Sequence, residues 1–202
     1  MGVERNDTRY RKSREKLVNA LFELLEKGAD VNTLSVAELV AQAHVTRTTF
    51  YLHYEDRADF YDSVLHMMVD DLYRAAITEG YSVNGNSFPV LDLTAAFGFV
   101  AAHAKEYHYL LKDGQRLFDR KLLSNLYAAV ERYCEVTGVP PRISEVPIDL
   151  IIEYEVMAIV GTAAHWLEEG MIYSPRYVAK TLAMLCQGGA QTATLADFFV
   201  AR

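Results

Sequence analysis

The sequence predicts an all-α protein: a small three-helix front module followed by a larger helical bundle. Three observations predict it. Apolar residues recur at three-and-four spacing through most of the chain, helix-capping residues stand at the heads of several of these runs, and no alternating strand pattern of useful length appears in the 202 residues. At 51% hydrophobic and 23% charged, the composition is that of a globular chain with a real core, which excludes wholesale disorder and collagen-like structure. No run approaches the roughly 20 uncharged apolar residues of a membrane span. Nor does the polar, charged N-terminus resemble a signal peptide. A cytoplasmic protein without a membrane partner is expected.

The first helix is expected from about Thr8 to Lys27, where Leu17, Val18, Leu21, Phe22, Leu24 and Leu25 share one face and Gly28 ends the run. Ser35-x-x-Glu38 has capping-box spacing and opens a second helix, with Leu39, Val40 and Ala43 turned inward. Thr46 caps a third, short helix through about Tyr51. Asp56, with Asp59 in the first turn, opens a long helix in which Phe60, Val64, Met68 and Leu72 keep helical period. Turn formers crowd the stretch from Gly80 to Pro89, which reads as a linker. Further helices are expected at roughly 89–104, 105–112, 116–137, 147–169 and 175–196. Their breaks fall at Asp113-Gly114, at Thr137 to Pro141 and at Gly170 to Pro175. The resulting organisation is a front module over 1–55, a connecting helix over 56–79 and a rear domain over 80–202.

Net charge is −7, which argues against a protein that coats nucleic acid indiscriminately by neutralising many phosphates. Its distribution is uneven. Residues 1–16 carry a net +3, from Arg5, Arg9, Arg11, Lys12, Arg14 and Lys16 against three acids, so a polyanion should meet the front of the chain. Cys134 and Cys186 form no CxxC pair and read as buried small apolar groups, not as a zinc or disulfide framework.

Three short helices, the second and third joined by a tight turn, form the helix-turn-helix arrangement, whose second helix enters the DNA major groove. The residues sharpen this reading. The run from Leu34 through Ser35, Glu38, His44, Val45 and Thr46-Arg47-Thr48-Thr49-Phe50-Tyr51 to His53-Tyr54 and Asp56-Arg57 closely resembles the DNA-binding signature of the TetR family of transcriptional regulators. The likeness spans about Thr8 to Leu65. In the rear half, Trp166-Leu-Glu-Glu-Gly-Met171 with Ser174-Pro175 is similar to the C-terminal domain of one TetR subgroup.

Each matched position has a physical role of its own. Thr46, Arg47, Thr48 and Thr49 stand at the N-terminus of the expected recognition helix, where unpaired amides favour phosphate and short side chains admit the backbone. Arg47 can fork onto guanine O6 and N7 or reach a phosphate. The Tyr51 phenol can meet a phosphate while its ring packs on the module. Ser35 and Arg57 open their helices, and the resemblance implies that they flank the groove and hold the DNA backbone. His44 stands where the family usually has glycine, a turn position of positive φ that histidine tolerates better than most residues, and it is a further phosphate candidate. Tyr54 replaces the family's phenylalanine and has a hydroxyl to place.

Between Val156 and Ala164 the rear bundle is apolar nearly all round, so that helix must be covered on every side. Small residues Ala158 and Gly161 permit close helix approach, while Leu182 and Leu185 offer a second face. By resemblance, the last two long helices build a four-helix homodimer interface. The bundle is also rich in aromatics, and His103, Tyr107 and Trp166 are the candidates for an effector pocket because each joins an apolar ring to a hydrogen-bonding group. His103 and His108, five positions apart on a helix, diverge by about 140° and suggest no metal. No GxSxG, P-loop, HExxH or GxGxxG pattern occurs, so no enzyme, catalytic residue, cofactor or metal is expected. The resemblance implies a homodimeric regulator of a quasi-palindromic double-stranded DNA operator, a repressor released by a small-molecule effector. The alternative is a co-regulator of the same fold acting through a protein partner.

Overall fold

Leu17, Leu21 and Leu25 recur on one side of α1 (Gly2–Glu26) and are buried together with Ala20 and Phe22. The computed structural model describes the backbone of residues 2–80, 87–113, 115–138, 142–143, 146–189 and 199–200. The side chains of Arg5 and Arg9, the middle of the turn-rich stretch (81–86), Gly114, Pro140, Pro141 and the expected helical residues 190–196 lie outside the described part. The described chain divides into two units, Met1–Met67 and Met68–Arg202, with the boundary inside α4 (Arg57–Ala76).

In the first unit, α1 ends in a Schellman motif, with Ala29 N–H bonded to Leu24 O, Gly28 N–H bonded to Leu25 O, and Gly28 at φ 89°. After α2 (Val36–Gln42) the chain repeats the same device with a different residue. His44 takes φ 52°, its N–H bonds to Ala41 O, and Val45 N–H bonds to Val40 O. The expected positive-φ turn therefore forms on histidine. α3 (Arg47–Tyr51) follows, and α4 starts one residue after Asp56, whose Oδ1 accepts Asp59 N–H at 2.9 Å. Phe50, fully buried, is the hub of this unit. Tyr54 and Phe60 pack at 5.3 and 5.8 Å between ring centroids, and Tyr54 meets Phe60 edge-on at 4.9 Å.

The second unit departs from the expected linker. Residues 77–79 leave the helix and form β1 (Ile77–Glu79), which pairs antiparallel with β2 (Pro89–Asp92) in the register Ile77↔Leu91 and Glu79↔Pro89. The connecting helix thus stops at Ala76, and the helix expected from residue 89 begins only at α5 (Leu93–Ala102). Local chemistry favours this. Ile77, Thr78 and Val90 are β-branched, Pro89 sits at a strand's first position, where no ladder donor is needed, and Asp92 accepts Thr94 and Ala95 N–H to cap α5. Gly80 donates to Phe88 O at 2.7 Å, and a Cβ there would lie 2.6 Å from the Phe88 ring. β2 also pairs in parallel with β5 (Phe199–Val200).

His103, at φ −123°, separates α5 from α6 (Ala104–Asp113), and α7 (Gln115–Thr137) follows. A two-residue pairing of β3 (Arg142–Ile143) with β4 (Val146–Pro147) leads into α8 (Ile148–Glu168), and Pro175 opens α9 (Pro175–Gly189) at the helix position where proline is best tolerated. α8 packs on α6 and α7, and α9 on α5. By length and composition α8 alone among the described helices could cross a bilayer. Burial accounts for part of its apolar character, since Ile152, Val156, Val160, Trp166 and Leu167 belong to the core of this unit. Glu155, also buried, accepts a hydrogen bond from the Cys186 thiol. Burial first, and that bond second, push the Cys186 pKa up to about 12, which leaves it an unreactive thiol. The five strands among the described residues are two to four residues long, and the architecture is all-α.

Candidate nucleic-acid interface

Thr46 caps α3 through its Oγ1, which accepts Thr49 N–H at 3.1 Å and lies 2.8 Å from Thr49 Oγ1. The two hydroxyls are thereby occupied with each other at the helix head. With Phe50 fixed inward, Arg47, Thr48 and Tyr51 emerge on the exposed side, Tyr51 at 57% exposure with its ring edge-on to Phe50 at 5.3 Å between centroids. Leu52 follows at 74% and was not singled out from the sequence, because helical period alone does not tell an outward leucine from a core one. His53 is half-buried and packs edge-on against Tyr10 at 4.3 Å.

The flanking candidates are held by their own elements. Ser35 and Glu38 make the complete capping box: Glu38 N–H to Ser35 Oγ at 3.2 Å, Ser35 N–H to Glu38 Oε2 at 2.9 Å and Ser35 Oγ to the same oxygen at 2.6 Å. These bonds hold the Glu38 carboxyl below its ordinary pKa. Ser35 is therefore exposed at the head of α2 but already both donates and accepts. Arg57 sends Nη1 to Val31 O at 2.7 Å and so ties the α1–α2 loop to the start of α4. His44 is exposed on its turn. Tyr54 is buried, and its hydroxyl finds no hydrogen-bond partner of sound geometry among the described residues. Burial raises its pKa against the opposing charge of Arg14.

In the second unit the three effector candidates do not converge. Tyr107 is fully buried and donates to Met68 O at 2.8 Å; burial drives its pKa far above the ordinary range. It borders a crevice of about 40 Å³ walled by apolar groups such as Phe97, Phe118 and Val160. Trp166 is buried against Phe97, gives its Nε1–H to Tyr173 O at 2.9 Å, and borders a separate groove of about 220 Å³ with Tyr173, Tyr177 and Leu182. His103 borders neither and stays exposed at the α5–α6 break, stacked obliquely on Phe99.

The four dimer candidates also divide. Leu182 is buried within the protomer, Ala158 and Gly161 are half-buried, and Leu185 is 65% exposed. Further exposed apolar residues extend this surface: Leu150, Tyr154 and Met157 precede Gly161 at helical spacing on α8, and Tyr177 and Met184 lie on α9.

Comparison with known proteins places this arrangement. A family model described as a transcriptional regulator C-terminal region, of the TetR type, matches residues 92–188. A TetR transcriptional regulator from Streptococcus agalactiae 2603V is similar over 91% of this chain and 98% of its own, with a TM-score of 0.64 and 19% identity. The fatty acid degradation regulator FadR from Bacillus halodurans aligns over 90% of this chain and 96% of its own, with a TM-score of 0.58 and 16% identity. A TetR-family transcriptional regulator from Streptomyces coelicolor aligns over 89% and 83%, with a TM-score of 0.55 and 18% identity. The structural likenesses carry the fold, and the family match likens residues 92–188 to the C-terminal region of TetR-type transcriptional regulators.

Proposed function

We propose that this protein is a transcriptional regulator of the TetR type, a homodimeric repressor that grips a quasi-palindromic operator through α3 of each protomer and releases it when a small effector binds the second unit. The observation that carries the DNA contact is the outward surface of α3, where Arg47, Thr48 and Tyr51 stand exposed while Phe50 is buried. Short threonines at the helix head leave room for a phosphate, and Arg47 has the reach and the fork for a guanine edge. Ser35, His44, Thr46 and Arg57 surround that surface as backbone positioners. Self-association is supported by the exposed apolar residues of α8 and α9, and a twofold dimer would read half-sites roughly 34–36 Å apart or a multiple of that.

Mobility-shift titration of the purified protein against the DNA upstream of its own gene, beside a scrambled duplex, tests the reading. Arg47→Ala should lose about 1–3 kcal/mol of operator affinity and relax preference at one base pair if it forks onto guanine; loss of a phosphate contact would weaken both duplexes alike. Tyr51→Phe should weaken binding without unfolding the protein. Unchanged affinity of Arg47→Ala and Tyr51→Phe for both duplexes would remove α3 as the contact surface.

A further inference from the structure

Leu52 is the most exposed of the large apolar side chains described, at 74%. It stands immediately after Tyr51 and continues the helical path of α3, with φ −74° and ψ −18° and its N–H bonded to Thr48 O at 3.1 Å. At about 100° per residue, and with Phe50 marking the inward direction, Thr48 falls about 160° and Leu52 about 200° round the helix. These two form the outermost ridge of α3, one turn apart. Arg47 and Tyr51 lie to one side of it, at about 60° and 100°. The ridge therefore ends in methyl groups, while the cation and the phenol flank it.

Within the major groove the C5-methyl of thymine is the apolar feature of the base edges, and leucine and the threonine methyl are suited to cover it. We propose that Thr48 and Leu52 together read a thymine methyl in the major groove and so specify a T·A pair in each half-site by apolar contact. Resting on the reading that α3 enters the groove, the assignment adds a sequence-specifying residue and names the base it selects. Leu52 and Tyr51 are the exposed large apolar side chains described on this stretch, and Arg47, Thr48 and Glu55, close by in sequence, are exposed and polar or charged, a mixture that suits one methyl better than a broad protein contact.

Duplexes selected by the wild-type protein from a random-sequence pool provide the probe. Each thymine is replaced in turn by deoxyuridine, which removes only the C5-methyl, and affinity is measured by fluorescence anisotropy for wild type, Leu52→Ala and Thr48→Ser. Wild type should lose roughly 3–10-fold at one position in each half-site, the order expected for one methyl returned to water. Leu52→Ala should bind the thymine duplex more weakly and no longer distinguish it from deoxyuridine at that position. Thr48→Ser, which keeps the hydroxyl, should show the same loss of discrimination in smaller measure and stands in if Leu52→Ala fails to fold. Insensitivity of the wild type to every deoxyuridine, or the full wild-type discrimination retained in both variants, overturns the assignment and leaves the DNA-binding reading intact. A pool that yields no enriched sequence overturns both.

Discussion

Asp119, on α7, is buried at neutral pH with Oδ1 lacking any hydrogen-bond partner among the described residues, and burial raises its pKa from the ordinary 3.8 to about 6. Below pH 3.8 folded and unfolded chains both hold the proton. Between about pH 4 and pH 6 the folded protein retains it while the unfolded chain gives it up, so stability falls as pH rises through that window and stays lower above it. Asp119→Asn should therefore raise stability at pH 7, by an amount on the order of 1 kcal/mol, and change little at pH 4. Thermal melts at the two pH values check this, and an equal gain at both would assign the effect to packing instead of charge. Residue-scale facts of this kind divide sharply in their legibility. The capping box of Ser35 and Glu38 and the left-handed turn at His44 depend on neighbours within a few positions and were readable. Arg57, Tyr107 and Trp166 bond to the carbonyls of Val31, Met68 and Tyr173, which only the folded chain brings within reach. Chemistry that looked available for DNA or ligand is in part committed to structure.

At the scale of elements, the helices were legible because each is long enough to repeat its apolar period, whereas β1 and β2 were not. Three or four residues cannot display an alternation, and the turn formers between the two strands read equally well as a linker or as a hairpin. The exposed stripe on α8 was half legible. Small residues marked it, but Leu150, Tyr154 and Met157 could not be told from core by spacing. Two glycines separate the helix's own preference from the presence of a partner. A Cβ added at Gly98 on α5, or at Gly161 on α8, meets nothing within 4 Å in the protomer. Gly98→Ala should therefore stabilise by about 0.5–1 kcal/mol through helix propensity alone. Gly161→Leu places its first added carbon in the same open space within its own chain, so dissociation on this change would point to a second chain packed there. Dissociation or a loss of about 1–3 kcal/mol by overpacking is the expected result, read by sedimentation velocity and urea unfolding. A Gly161→Leu protein that sediments like wild type and is more stable would show that no close helix contact forms there.

For the whole molecule, one helix carries residues of both units: α4 runs unbroken from Arg57 to Ala76, and the division falls between Met67 and Met68. A tilt of α4 is therefore the simplest route by which an effector in the second unit could alter α3. Such a ligand acts only through its differential affinity for the DNA-competent and DNA-incompetent arrangements. Linkage then demands reciprocity: if the effector lowers operator affinity by a typical roughly 5–150-fold, saturating operator must lower effector affinity by the same factor. Trp166, the chain's single tryptophan, reports on the second unit, because its indole borders the groove between α8 and α9 and is anchored to Tyr173 O. A metabolite screen should find a compound that shifts Trp166 emission and releases operator. Titrating that compound with and without saturating operator should then give two dissociation constants whose ratio equals the loss of operator affinity measured in the opposite direction. Apolar compounds are the first to screen, since the polar groups of Tyr107 and Trp166 are already bonded within the fold and offer no vacant anchor. A compound that binds tightly, shifts the emission and leaves operator affinity unchanged at saturation would uncouple the two units, and the release mechanism would fall even though the site was real.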